Sequence, residues 1–221
     1  MTALHVLRVF TNEDGRHGNL LGVFLDGGSV PAERRQRVAA DLGFSETVFV
    51  DDPQQARIRI FTPAAEIGFA GHPSVGTAWL LAREGARRIV LRPPAGEVGV
   101  RREGPLTFIS GRPEWGPRFE LSQVPDPAVV EEMRSGSGYF WAWQDEGAGR
   151  VRARAFFPDL GIEEDEATGA AAIFLTARLG RPLMITQGQG SILRTRPLGD
   201  GFVEVGGGVV HHERRIYELS R

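Results

Sequence analysis

The 221 residues include no cysteine. This absence excludes a disulfide framework, a thiolate metal site and a catalytic thiol. The formal net charge is only -2, and the basic side chains are scattered along the chain rather than gathered in a stripe. A nucleic-acid-binding surface needs such a stripe or patch. We therefore expect neither thiol chemistry nor a nucleic-acid partner.

Long apolar runs are also missing. His5 and Arg8 interrupt the first ten residues, which lack the apolar core of a signal peptide. No segment approaches the roughly 20 apolar residues that a membrane span requires. We expect a cytoplasmic protein without a membrane partner.

Sequence signatures for bound cofactors and metals are absent as well. There is no dinucleotide, P-loop or paired-histidine metal motif. His211 and His212 are adjacent on a predicted strand, so their side chains point to opposite faces and cannot share one metal. We predict no metal and no cofactor. The 29 glycines and 14 prolines instead indicate many short strands and tight turns, which is typical of a β-rich α+β protein.

One pattern occurs twice. Residues 57–63 and residues 152–158 both read Arg-x-Arg-x-Phe-x-Pro. The period-two alternation predicts a strand in each copy, and the proline ends it because proline has no N–H donor. Each strand is followed by a loop and an apolar helix, and we expect Gly76 and Gly169 to open these helices. Both helices are too apolar for a surface position and should be buried.

This repeat predicts two pseudo-symmetric lobes, each a β-barrel-like sheet wrapped around its own central helix. We place the N-terminal lobe at residues 1–112 and the C-terminal lobe at residues 113–221. The last strand is free to return to the N-terminal lobe.

Glu46 is the first candidate for chemistry, because it interrupts an apolar, β-branched strand. Partial desolvation there would favour the neutral form of its carboxyl group and suit an acid/base. The alternative is a glutamate that faces solvent on the outer side of the strand. The second copy has Gly138 at the matching place, so we expect this acid to occur once.

His72 and Asp165 each precede a helix-opening glycine by four residues. A pseudo-two-fold axis would then bring them to opposite sides of one cleft. Taken alone, His72 could simply cap loop backbone, and Asp165 could be an acidic residue favoured by the helix dipole whatever the function.

The two helix N-termini would offer free backbone N–H groups to an anion, which points to a small carboxylate-bearing metabolite as partner. Gly76, Gly169 and Ala170 permit close backbone approach. The loop from Gly188 to Ser191 is a weaker motif, either a plain turn or a second anion-lining segment.

Together these residues resemble the phenazine-biosynthesis PhzF-like family, whose fold is similar to that of diaminopimelate epimerase. Five stretches, spanning nearly the whole chain, carry the resemblance: Gly18-Asn19, Ser45-Glu46-Thr47, residues 59–63 with 69–73, residues 164–169, and Gln187-Gly188.

The resemblance implies a cofactor-free isomerisation that moves a proton on a cyclic hydroxy-amino acid, in a protein that is commonly a homodimer. It makes Glu46 the proton-shuttling catalytic residue, with His72 and Asp165 as its active-site partners. With the helix ends, it assigns substrate binding to Asn19, Gly71, Gly76, Thr168, Gly169, Ala170, Gln187 and Gly188.

The chain departs from the family pattern at three places. Glu166 replaces the usual proline, Ala170 replaces the usual serine and removes one substrate hydrogen bond, and Leu20 stands where another proline is usual. The substrate is therefore left open. One alternative is an epimerase that uses Glu46 and His72 on opposite faces of its substrate, and another is a non-catalytic protein that binds a small acidic metabolite. The two-thiol mechanism of other enzymes with this fold is excluded by the absence of cysteine.

Overall fold

The structure is a computed structural model that describes residues 1–219. Short strands dominate it: β1 (Thr2–Thr11), β2 (Asn19–Phe24), β3 (Glu46–Asp52), β4 (Arg57–Phe61), β5 (Glu66–Ile67), β6 (Val90–Leu91), β7 (Val98–Glu103), β8 (Leu106–Gly111), β9 (Leu121–Gln123), β10 (Gly138–Asp145), β11 (Arg150–Phe156), β12 (Leu183–Gln187), β13 (Ser191–Pro197) and β14 (Val203–Tyr217). The α-helices are α1 (Ala32–Leu42), α2 (Gly71–Arg83), α3 (Pro127–Glu132) and α4 (Gly169–Leu179). Within residues 1–219, no helix has the length and apolar character needed to cross a membrane.

The predicted mixed α+β class is confirmed, but the strands of both halves join one sheet. The order is β5-β4-β3-β2-β1-β14-β13-β12-β11-β10-β9, and β8 branches from β14 to carry β7 and β6. The sheets of the two predicted lobes are therefore hydrogen-bonded to each other. Strand β14 makes this connection, because it pairs with β1, β8 and β13. The division into residues 1–112 and 113–221 stays a prediction.

The repeat itself is visible in the pairing of the strands. In each half a parallel pair (β2 with β3, β9 with β10) is followed by an antiparallel pair (β3 with β4, β10 with β11). Both predicted central helices are buried. Helix α2 packs against β1, β2, β3, β8 and β14, and α4 packs against β13, β14 and α2. Burial follows from their sequences, which offer no polar face to solvent.

The strand register corrects the predicted match for Glu46. Thr47 of β3 pairs with Phe61, and Gly138 of β10 pairs with the equivalent phenylalanine of the second copy. Gly138 therefore corresponds to Thr47, and the counterpart of Glu46 is Ser137. The prediction that Glu46 matches Gly138 is wrong by one residue, because register is set by cross-strand hydrogen bonds between distant segments.

The start of α2 is a second correction. This helix begins at Gly71, not at Gly76, and His72 is helical rather than extended. Pro73 is compatible with this start because the first-turn N–H groups of a helix have no intrahelical partner. Gly76 lies inside the helix, where an added Cβ would meet the side chain of Leu21. Helix α4 begins at Gly169 as predicted.

Candidate active site

The N-termini of α2 and α4 meet. A Cβ added to Gly169 would lie 2.9 Å from the backbone nitrogen of His72, and one added to Gly71 would lie 3.1 Å from the carbonyl carbon of Gly169. Only glycine permits this approach. Neither cap residue, Ala70 or Thr168, makes a side-chain capping hydrogen bond to its helix. The first-turn N–H groups and the positive ends of two helix dipoles therefore converge at one place.

Glu46 lies at the first position of β3 and faces His72 of α2. Nδ1–H of His72 donates to Oε2 of Glu46 over 2.8 Å. The His72 side chain is 3% exposed and that of Glu46 is 18% exposed, so the alternative of a solvent-facing glutamate does not apply. Burial alone would raise the pKa of Glu46, but the charge of His72 and its hydrogen bond outweigh burial and hold that pKa below its ordinary value. The expectation of a neutral Glu46 is therefore wrong.

The second ring nitrogen of His72 is also placed for chemistry. Nε2 is buried, and it has no hydrogen-bond partner within the described part of the chain. Buried polar atoms are normally satisfied. This atom can therefore contact a bound molecule without first giving up a bond within the protein.

Asp165 lies just before α4 and is held by neutral donors. The Asn19 side-chain amide donates to its Oδ1 over 2.5 Å, and the Thr168 hydroxyl donates to its Oδ2 over 2.6 Å. Burial, followed by the nearby charge of Glu46, raises the pKa of Asp165 above its ordinary value. The site therefore contains two neighbouring carboxyl groups whose environments shift their pKa values in opposite directions.

Gln187 shapes the loop between Asp165 and Thr168. Its side-chain Nε2 donates to the Asp165 carbonyl and to the Thr168 hydroxyl, both over 2.8 Å. Its Oε1 accepts from the Thr168 backbone N–H over 3.1 Å. Gln187 is fully buried. These bonds engage both ends of its amide, which gives Gln187 a supporting position behind Asp165.

The remaining predicted residues divide into two groups. Asn19 and Thr168 lie in the network around Asp165, with Gly188 against the neighbouring Glu166, and Gly71, Gly169 and the half-buried Ala170 lie at the helix junction. Gly76 lies outside both groups, in the core, because α2 starts one turn earlier than predicted.

Sequence reasoning missed the role of Ser191. Its hydroxyl is buried and donates to Glu166 over 2.7 Å, so it is engaged by an anionic side chain of the protein itself. The suggested anion-lining function of this loop is not supported. The available signal was Glu166, a carboxylate at the place of the usual family proline.

A separate groove of about 580 Å³ lies away from these residues. Its lining includes Arg57, Arg59, Glu66 and Arg92. Arg59 pairs with Glu66, and Arg92 pairs with Glu97 over 3.1 Å, so these charges are balanced locally. We therefore place the candidate active site at the helix junction. Within residues 1–219, no cluster of three or more potential metal ligands occurs.

The chain is similar in sequence and fold to known proteins. Residues 7–115 match the family of phenazine biosynthesis-like proteins, PhzC-PhzF. The trans-2,3-dihydro-3-hydroxyanthranilate isomerase of Pseudomonas aeruginosa is 33% identical, over 83% of this chain and 82% of that protein.

Solved structures extend the match over the whole fold. A phenazine-biosynthesis PhzC/PhzF protein from Clostridium difficile superposes with a TM-score of 0.80, at 20% identity, over 99% of this chain and 100% of that one. A protein described as a predicted epimerase, from P. aeruginosa, superposes with a TM-score of 0.77, at 25% identity, over 100% of both chains. The chain thus belongs to the PhzF-like family and is an isomerase.

Proposed function

We propose that this isomerase moves a proton between two carbon atoms of a small carboxylate-bearing substrate, without a cofactor, and that Glu46 carries the proton. The observation that supports this most is the contrast between the two carboxyl groups. Against the effect of burial, His72 lowers the pKa of Glu46, whereas burial and then the charge of Glu46 raise the pKa of Asp165. Such opposed shifts are typical of acid/base sites.

In the proposed reaction, ionised Glu46 accepts a proton from a carbon next to an activating group. The electron pair of the broken C–H bond forms a new double bond to the neighbouring carbon, and the electron pair of the existing double bond moves to the far carbon. Protonated Glu46 then returns the proton to the far carbon, so that atoms and electrons balance. His72 holds one oxygen of Glu46, which leaves the other oxygen for the substrate. His72 and Asp165 thereby position substrate and charge.

The substrate carboxylate is proposed to bind at the junction of α2 and α4. These helices are 13 and 11 residues long, and their uncapped N-termini converge. Free N–H groups and aligned dipoles favour an anion at such a place. Ionised Glu46 lies beside it, so a substrate that presents its carboxylate to the helices would direct its reacting carbon toward Glu46.

Cofactor independence is supported by the residue types that the chain contains. The 221 residues include no lysine, and pyridoxal phosphate enzymes bind their cofactor as a Schiff base on lysine. They also include no cysteine for a two-thiol mechanism. A carboxylate is then the base that the site offers, and Glu46 is the carboxylate with the lowered pKa.

For the substrate class, we propose a cyclic hydroxy-amino acid. The relative from P. aeruginosa is named for such a compound, trans-2,3-dihydro-3-hydroxyanthranilate. Ala170 stands at the helix junction without the hydroxyl of the usual serine. We therefore expect a substrate that needs one hydrogen bond fewer at that point.

Isomerisation is favoured over epimerisation by the contact between Glu46 and His72. An epimerase of this kind needs two bases on opposite faces of one carbon. The 2.8 Å contact between Glu46 and His72 supports a position of both residues on the same side of the cleft. A homodimeric assembly and a cytoplasmic location stay predictions of the resemblance, and light scattering after size-exclusion chromatography would measure the first.

The proposal is tested by incubating the protein in heavy water with trans-2,3-dihydro-3-hydroxyanthranilate and related cyclic amino acids. Mass spectrometry would measure deuterium uptake, and NMR would identify the product. We expect a shifted double bond, with deuterium at the newly protonated carbon in those turnovers in which the carboxyl proton of Glu46 exchanges with heavy water before it is returned. Glu46→Gln should reduce the rate by roughly a hundredfold or more, with folding and ligand affinity nearly intact. Chelator treatment should leave the rate unchanged.

Exchange in Glu46→Gln at the wild-type rate would overturn the proposal. Deuterium at the original carbon with inverted configuration would identify an epimerase.

A further inference from the structure

Glu166 has both carboxylate oxygens bound to one turn. Its Oε1 accepts from the hydroxyl of Ser191 over 2.7 Å, and its Oε2 accepts from the backbone N–H of Gln189 over 2.8 Å. The side chain is 22% exposed. Gln189 and Ser191 belong to the turn between β12 and β13, whereas Glu166 precedes α4. Charge-assisted bonds of this kind are stronger than neutral ones. Glu166 therefore ties the turn to the segment that carries Asp165.

The contacts continue from Ser191 into the N-terminal half of the chain. Ser191 is fully buried, and its Oγ accepts from the backbone N–H of Gly18 over 2.9 Å. The next residue, Asn19, donates to Asp165 Oδ1 over 2.5 Å and to the Ala167 carbonyl over 3.0 Å. Asp165 thus holds Asn19 directly, and the neighbouring Glu166 holds Gly18 through Ser191.

The turn has little room for another arrangement. Gly188 has φ of +58°, and a Cβ there would collide with the carboxylate of Glu166. From the other side, Arg152 donates to the Gly188 carbonyl over 2.6 Å. The turn and Glu166 are therefore shaped to each other, and the loss of the carboxylate would release the turn on one side.

We propose that Glu166 is a positioning residue that, through Ser191, fixes Gly18 and Asn19 so that the Asn19 amide stays on Asp165. The proposal rests on the proposed function in so far as Asp165 takes part in the reaction. A proline, the usual residue here in the resemblance described above, has no side-chain acceptor. This chain thus has its own means of fixing the loop.

A substrate-free experiment tests the geometry. Amide hydrogen exchange and ¹⁵N NMR would be compared in wild type, Glu166→Ala, Ser191→Ala and Glu163→Gln. Both Glu166→Ala and Ser191→Ala should speed exchange at Gly18 and shift the Asn19 side-chain amide resonance. Only Glu166→Ala should speed exchange at Gln189. Glu163→Gln removes one negative charge at an exposed position. It should leave exchange at Gly18 and Gln189 and the Asn19 resonance unchanged. Unchanged Gly18 exchange and an unchanged Asn19 resonance in Glu166→Ala would overturn the proposal.

Kinetics then separate positioning from general stability. With the substrate that shows deuterium uptake, Glu166→Ala should lower kcat by about tenfold or more with a smaller change in KM, because misplaced groups near the reacting atoms slow chemistry. Glu166→Gln keeps the shape and should lie between Glu166→Ala and wild type. In the Glu166→Ala/Ser191→Ala double variant, the losses should be less than additive, because both act through Asn19.

The outcomes are distinguishable from those of the proposed function. Wild type that neither shifts the double bond of any substrate nor takes up deuterium removes the proposed reaction, while the Gly18 and Asn19 signals still decide whether Glu166 holds the loop. Additive kinetic losses, or a kcat that falls only in step with the melting temperature, would overturn the positioning role.

Discussion

The two halves of the molecule bring equivalent elements to the same helix junction and put different chemistry on them. In the N-terminal half, the helix-opening glycine is followed by His72, and Glu46 stands at the start of the facing strand. In the C-terminal half, the corresponding positions hold Ala170 and Ser137. The C-terminal carboxyl group, Asp165, comes instead from the loop before the helix.

This difference decides the direction in which the pKa of each carboxyl group shifts. Glu46 meets His72, whose charge and hydrogen bond lower the pKa of Glu46 against the effect of burial. Asp165 meets the neutral Asn19 and Thr168, and burial dominates. A repeated fold can therefore shift the pKa values of two carboxyl groups in opposite directions, provided that the residues touching them differ.

The largest expected effect comes from moving the acid to the other half. Glu46→Gln with Ser137→Glu keeps the number of carboxyl groups but moves one of them to the position that matches Glu46 in the second copy. Deuterium uptake should stay roughly a hundredfold or more below wild type, as in Glu46→Gln alone, because no histidine supports the new carboxylate. The rate of uptake is the measurement, and circular dichroism is the control for folding. Recovery of uptake by Ser137→Glu would break the comparison.

Removing the cation from the N-terminal half should have the next largest effect. His72→Asn keeps an N–H donor near Glu46 and removes the positive charge, so the pKa of Glu46 should rise. A base must be ionised, so the acid limb of the kcat/KM profile should move to higher pH. The rate near neutral pH should fall by about tenfold. An acid limb that stays at its wild-type pH would show that His72 does not control the charge of Glu46.

Separating the two helix ends should have a moderate effect. Gly169→Ala would place a methyl group 2.9 Å from the His72 nitrogen. We expect a loss of about 1–3 kcal/mol in the free energy of unfolding, together with reduced activity. Urea unfolding would measure the first. The matched control is Gly199→Ala, where an added Cβ meets nothing within 4 Å. Equal stability of the two variants would contradict the close approach.

The smallest effects concern the pH dependence of stability. Glu46 has a lowered pKa, so its contribution is present above its ordinary value of 4.5 and is lost as pH falls through the folded value. Asp165 has a raised pKa, so its contribution is present below its ordinary value of 3.8 and is lost as pH rises through the folded value.

Thermal unfolding of two amide variants would test these signs. Glu46→Gln should lose stability relative to wild type as pH rises from acid toward neutral. As pH rises over the same range, Asp165→Asn should gain stability relative to wild type. The melting temperatures should shift by only a few degrees, on the order expected for about 1 kcal/mol. Parallel trends in the two variants would contradict opposite pKa shifts.

Local sequence patterns were sufficient for several predictions. Alternation in residues 57–61 and the apolar runs after Gly76 and Gly169 identified strands and buried helices. These properties depend on neighbouring residues and on solvent, so a short window carries the information. The resemblance of five stretches also identified the family and the residues that gather at the junction.

The tertiary structure decided what depends on contacts between distant segments. Pairing with β4 set the register of β3 and made Ser137 the counterpart of Glu46. The approach of α4 placed Gly71 rather than Gly76 at the junction, and β14 joined the halves into one sheet. The contact with His72 decided that the pKa of Glu46 is lowered, and the position of Ser191 decided which turn Glu166 holds. Each outcome results from a distance or a balance of burial and charge across the fold, which no local pattern specifies.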